Sequence, residues 1–146
     1  MFSRAVPAIA ALALLAACGQ SNAPAASTNP DVKISPALED VILGDPNAPV
    51  KIVEYGSLAC PHCRDFWMQQ MPKLKPVYID TGKANYTFRD LTLGGAAALS
   101  DASAAIARCA GKDKYYAAVQ AFFDRQYDIA AASATPGGAG PIMAEI

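Results

Sequence analysis

The chain has 146 residues, and 12 Lys and Arg against 13 Asp and Glu leave a formal charge of -1. That balance supplies no single-sign field of the kind nucleic-acid binders use, so no nucleic-acid partner is expected. Leu, Ile, Val and Phe make up about a fifth of the residues, near the lower edge for a packed domain. Near-zero charge and patterned aromatic and β-branched segments nevertheless exclude disorder throughout and leave room for one domain.

Residues 1–17 read as a signal peptide. Arg4 precedes an apolar run from Ala5 to Ala17, which is shorter than the roughly 20 residues a membrane-spanning helix needs. The competing reading is a buried Ala/Leu helix. Leu15-Ala16-Ala17-Cys18 followed by Gly19 resembles the bacterial lipoprotein box, in which cleavage precedes the cysteine and its thiol carries a lipid. Residues 18–36 are small, polar and Pro-containing, and read as a flexible tether that cannot offset the entropy of ordering.

The domain is expected over residues 37–129. Leu38 to Leu43 is a candidate short strand. Val50 to Tyr55 is a β-rich run behind the turn residues Gly44-Asp45-Pro46-Asn47 and Pro49. Pro61 stands where a helix would begin, and Trp67, Met71, Leu74 and Tyr78 recur on one face of it. Pro72 and Pro76 fall inside that pattern and predict a kink or break near Met71. Ala84 to Arg89 reads as a second strand, parallel to the first by a right-handed crossover, which makes a βαβ unit. Leu99, Ala102, Ile106 and Cys109 define the face of a further helix that Gly111 can stop, and Tyr116, Val119 and Phe123 mark another. From Ala130 to Gly140 the composition returns to Ala, Ser, Thr, Gly and Pro, and no structure is predicted for residues 130–146.

The chemistry is concentrated in Cys60-Pro61-His62-Cys63. A CxxC that follows a strand and opens a helix inside a βαβ pattern reads as a redox dithiol, because two intervening residues in a first helical turn bring the sulfurs within disulfide reach. At the helix N-terminus, unpaired N–H groups and the positive end of the dipole favour a thiolate on Cys60, the attacking sulfur. Cys63, one turn in and more buried, is the resolving thiol. A structural zinc site is the main alternative, but it needs four ligands. There is no second CxxC, and the chain's single His lies between the two cysteines.

Several segments together resemble the DsbA-like thiol-disulfide oxidoreductases. They are Gly44-Asp45-Pro46-Asn47-Ala48-Pro49-Val50, Val53-Glu54-Tyr55-Gly56-Ser57-Leu58-Ala59-Cys60-Pro61-His62-Cys63, Phe66, and Tyr86-Thr87-Phe88-Arg89-Asp90. The resemblance covers about Val41 to Gln126. It implies an α/β thioredoxin-like βαβ core with a helical insertion, placed in the bacterial periplasm, with catalytic residues Cys60, Pro61, His62, Cys63 and Glu54. His62 is expected to stabilise the Cys60 thiolate, and Glu54 to shuttle the proton of Cys63. Implied partners are reduced or unfolded protein substrates and a DsbB-like, quinone-linked membrane protein, with no cofactor. The alternatives are a reductase or isomerase on the same fold, or a nonenzymatic copper-binding thiol chaperone.

The family also carries a cis-Pro loop, a β-hairpin and a closing helix. Thr135-Pro136 has the dipeptide, but Gly137-Gly138 and no strand run follow it, so the C-terminal ββα half is expected to be missing. Cys109 reads either as one half of a bridge to a downstream cysteine, as in relatives, or as a small buried apolar residue. Arg89-Asp90 reads as a surface charge pair, and Trp67 as core or as a rim for substrate peptides. If Cys18 is lipidated, Cys18→Ser releases the protein from membranes or leaves it unprocessed. Equal membrane partitioning and identical mass of the two forms defeat that expectation.

Overall fold

The structure is a computed structural model and describes residues 39–92 and 94–146. The expected signal peptide, the tether and Cys18 lie outside the described residues.

Three strands, β1 (Ile42–Leu43), β2 (Val50–Gly56) and β3 (Ala84–Asp90), form a sheet in the order β1-β3-β2. β2 and β3 are parallel and in register from Val50↔Ala84 to Gly56↔Asp90, while β1 runs antiparallel and pairs only with Thr87 and Tyr86. The turn between β1 and β2 is built as its residues require. The Asp45 carboxylate accepts from the Asn47 N–H at 2.8 Å. Gly44 sits at φ +95°, where a Cβ would lie 2.7 Å from Ile79 Cγ2.

Helix α1 (Pro61–Leu74) makes the crossover from β2 to β3. The expected break near Met71 does not occur: α1 runs through Pro72 to Leu74, and the irregularity is a π-helical turn at Lys75–Ile79. That turn is closed by Asp80 N–H donating to Lys75 O at 2.8 Å, and Pro76 lies inside it. The extra residue per turn also shifts the buried face. Tyr78, expected inside, is 46% exposed, and Ile79 replaces it at 2%.

Four helices follow β3: α2 (Ala97–Cys109), α3 (Tyr115–Asp124), α4 (Gln126–Ser133) and the single-turn α5 (Gly140–Met143). Gly111, at φ +86°, ends the α2 segment as expected. The α2 face differs from the apolar pattern. Ser100, Ser103 and Ala107 are buried, whereas Ala102 and Cys109 are exposed. The serines can be buried because Ser103 Oγ donates to Leu99 O at 2.8 Å and Ser100 Oγ shares a 2.7 Å hydrogen bond with Ser57 Oγ. Cys109 is therefore not the buried apolar residue that one reading made it. Residues 130–146, for which the sequence predicts no structure, continue α4 past residue 129 and add α5, and Ile129 and Met143 join the core.

The core lies between one face of the sheet and α1, α3 and α4. Tyr86, Phe88, Tyr115, Val119, Phe122 and Phe123 are all but sealed from solvent. Trp67 belongs to this core rather than to a rim. It stacks on Tyr116 at 6.0 Å and donates from Nε1 to Gln120 Oε1 at 2.7 Å. The opposite sheet face carries the exposed side chains of Ile42, Val53 and Tyr55. Arg89 and Asp90 do not pair with each other: Arg89 binds Asp40, and Asp90 binds Arg108 at 2.8 Å.

Tyr116 completes the sheet where β1 stops. Its hydroxyl donates to Val41 O at 2.7 Å and accepts from Phe88 N–H at 3.2 Å, standing in for a strand partner. Tyr116→Phe keeps the ring but leaves that N–H unpaired. It is expected to lower unfolding stability by about 1–3 kcal/mol in urea denaturation; an unchanged midpoint contradicts this role.

Candidate active site

β2 ends at Gly56, and the chain turns through Ser57, Leu58 and Ala59 into α1. The turn is closed by Cys60 N–H donating to Ser57 O at 3.0 Å, and by Ala59 N–H donating to Ser57 Oγ at 3.1 Å. Cys60 is the N-cap of α1, extended at φ -90° and ψ 121°, with Pro61 in the first turn. Its side chain makes no capping hydrogen bond, so the sulfur stands at the positive end of the helix. Cys63 lies one turn in. Both are free thiols and half-buried.

Cys63 Sγ and Glu54 Oε1 meet over Gly56, 3.1 and 2.9 Å from where a Cβ would lie there, and Cys60 and the Ser57 backbone are the other groups that act on the Cys63 thiol. Burial, reinforced by the neighbouring Cys60 and Glu54, pushes the Cys63 thiol up to about 11. Burial also raises Glu54 above the ordinary carboxylate range, opposed by hydrogen bonds from Tyr86 and Cys63. Tyr86 Oη donates to Glu54 Oε2 at 2.5 Å. Of the residues expected from the sequence, Cys60, Cys63 and Glu54 thus converge. Pro61 and His62 are exposed on the first turn. The His62 imidazole makes no hydrogen bond among the described residues, so any effect on Cys60 acts through space.

Several residues at the site were not singled out from the sequence. Gly56 leaves room beneath the dithiol, since a Cβ there would lie 2.8 Å from the Phe88 ring, 2.9 Å from Glu54 Oε1 and 3.1 Å from Cys63 Sγ. Gln126, at the start of α4, is buried and donates from Nε2 to Leu58 O at 2.8 Å and Cys60 O at 3.1 Å. Arg64 donates from Nε to Phe123 O at 2.8 Å, and its guanidinium lies 4.6 Å over the Tyr127 ring. Gln126 had a readable signal, because it lies three or four residues from Phe122, Phe123, Ile129 and Ala130 on an otherwise apolar face. Tyr86 and Gly56 had none, because their roles depend on strand register. Among the described residues no group of three or more His, Cys, Asp or Glu is assembled that could hold a metal ion.

The half-buried Glu54 and the CxxC thus stand together at the junction of β2 and α1, on a parallel βαβ unit. The family described as Thioredoxin matches residues 37–141. The chain belongs to that family. A Rickettsia prowazekii protein named protein-disulfide oxidoreductase is 42% identical over 73 residues, covering 49% of this chain and 25% of its own length. Among solved structures, alpha-DsbA1 of Wolbachia pipientis superposes with a TM-score of 0.56 at 34% identity, over 67% of this chain and 47% of that one. A protein-disulfide isomerase from Novosphingobium aromaticivorans gives 0.59 at 25% identity, over 66% and 48%. The chain thus spans between a quarter and about half the length of these relatives. Its fold is thioredoxin-like α/β, with β2, α1 and β3 as the βαβ core and α2 to α5 following it. No cis peptide bond occurs among the described residues, Pro136 included.

The contacts around Gly56 leave no room for a side chain at the site. Gly56→Ala is expected to cost about 1–3 kcal/mol through overpacking and to displace either the Phe88 ring or the Cys63 sulfur. Urea unfolding together with the rate of Cys63 alkylation measures both; wild-type values for the pair refute the close fit.

Proposed function

We propose that the chain is a thiol-disulfide oxidoreductase that exchanges a Cys60–Cys63 disulfide with the thiols of secreted or periplasmic proteins. The observation that carries this reading is the placement of Cys60 at the N-terminus of α1 with Cys63 one turn behind it, beside the half-buried Glu54 over Gly56. The relatives named for protein-disulfide chemistry support it. Lipid attachment at Cys18, a periplasmic location and reoxidation by a DsbB-like membrane partner belong to the same proposal. No helix among the described residues is long and apolar enough to cross a membrane.

The chemistry follows from the different settings of the two sulfurs. A substrate thiolate attacks Cys60 Sγ, the Cys60–Cys63 bond breaks, and Cys63 leaves as a thiolate. A thiol whose pKa lies at about 11 is a poor leaving group unless it is protonated as it departs. Glu54, raised by burial, is placed to give that proton. A second substrate thiolate then attacks the substrate sulfur of the mixed disulfide and releases Cys60. The net result is one substrate disulfide formed and one enzyme disulfide reduced. Oxidation is the direction proposed. A reduction potential near the DsbA value of about -120 mV fits it, and one near the thioredoxin value of about -270 mV assigns reduction instead.

Trapping tests the assignment of roles. Cys63→Ala is expected to accumulate mixed disulfides through Cys60, with at least a tenfold excess over Cys60→Ala, because no resolving thiol remains. Peptide mapping that places the mixed disulfide on Cys63 refutes it.

A further inference from the structure

We propose that Tyr86 is a positioning residue for the Cys63 half of the exchange: its hydroxyl pins one oxygen of Glu54, which leaves the other oxygen facing the Cys63 sulfur to handle its proton. This rests on the disulfide-exchange reading above.

The geometry divides the carboxylate between two tasks. Oε2 accepts from Tyr86 Oη at 2.5 Å. Oε1 and Cys63 Sγ both border the small space over Gly56, at 2.9 and 3.1 Å from the position a Cβ would take there. Tyr86 itself has little freedom. Its side chain is 0% exposed, on the central strand β3, with Trp67 at 5.8 Å and Tyr116 at 6.1 Å between ring centroids. Burial and the adjacent carboxylate hold its proton in place across the physiological range, so it acts as a donor throughout.

The titratable groups around Glu54 come from two elements. Tyr86 faces it from β3, and Cys63, with Cys60 beyond it, faces it from α1. Tyr115 and Tyr116 of α3 lie behind Tyr86. None of these is a cation. The hydrogen bond from Tyr86 is therefore the largest influence favouring the ionised carboxylate against its burial. An ionised Glu54 accepts the Cys63 proton when Cys63 attacks a mixed disulfide on Cys60. The Cys63–Cys60 bond forms as the bond from Cys60 to the bound thiol breaks, and the departing thiolate takes a proton. The reverse step returns the proton to Cys63.

The test uses the full chain, reduced, mixed with saturating oxidised glutathione. Acid quenching and mass measurement follow the unimolecular loss of the Cys60–glutathione adduct as a function of pH. The wild-type rate is expected to rise along a limb set by Glu54. Tyr86→Phe moves that limb up by about one pH unit, slowing resolution about tenfold below it and leaving it unchanged above. Glu54→Gln abolishes the limb, and adding Tyr86→Phe to it changes nothing further. Should Tyr86→Phe fail to fold, 3-fluorotyrosine placed at position 86, a stronger donor of nearly the same shape, is expected to move the limb down instead. A limb that stays in place in the folded variant overturns the proposal. So does a Tyr86→Phe effect of equal size in the Glu54→Gln background, which marks a packing role alone. Wild-type protein that forms no adduct or never resolves it overturns the exchange reading, and this inference with it.

Discussion

The parallel pairing of β2 with β3 is the constraint on which the site depends. Because Glu54 is opposite Phe88 and Ile52 opposite Tyr86, an acid on one strand and a phenol on the next share one face of the sheet. A slip of one residue would turn Glu54 to the exposed face and Val53 to the helices. The same register brings β2 to its end at Gly56, where the absence of a side chain gives Cys63 room to sit against the strand. The sheet therefore sets the surroundings of Cys63, while the start of α1 sets those of Cys60.

The helices after β3 do more than cover apolar surface. Ser100 of α2 holds Ser57, Gln126 of α4 holds the carbonyls of Leu58 and Cys60, and the Phe123 carbonyl of α3 holds Arg64. Three separate helices thus fix the four-residue turn into α1 and its first helical turn. Such polar ties favour a single arrangement, because each buried group left without its partner costs more than the bond contributes when made. The loop before Cys60 is accordingly ordered from the side, by residues 40 to 70 positions away in the chain.

Sequence reading recovered the features that depend on local rules. Val50–Gly56 and Ala84–Asp90 are strands because of their β-branched and aromatic runs, and Pro61 begins a helix because its fixed φ and missing N–H suit a first turn. The CxxC was visible as a motif at a strand-to-helix junction, and Glu54 through the family resemblance alone. The misreadings arose where tertiary contacts reversed local preference. Ser100 and Ser103 are polar residues made buriable by their partners, and Cys109 lost its place on the buried face to them. The alanines of α4 carry no strong periodic signal, so that helix is stabilised by Gln126 and Ile129 reaching the core. Tyr86 and Gly56 are legible as strand residues but not as parts of the site, since no pattern within one strand reveals what stands opposite.

The π-helical turn at Lys75–Ile79 has a consequence for how this chain can vary over evolutionary time. It adds a residue to the crossover without adding length to the packed helix, so it works as a phase shifter between the α1 face and the strand that follows. An ordinary helical repeat over the same residues would turn Tyr78, rather than Ile79, toward the core. Deletion of one residue between Lys75 and Ile79 removes the wide turn while keeping an apolar residue in phase with β3. The tolerated route between a bulged and a straight crossover is therefore a single insertion or deletion. Sequences related to this one are expected to differ there by one residue in length rather than by substitution.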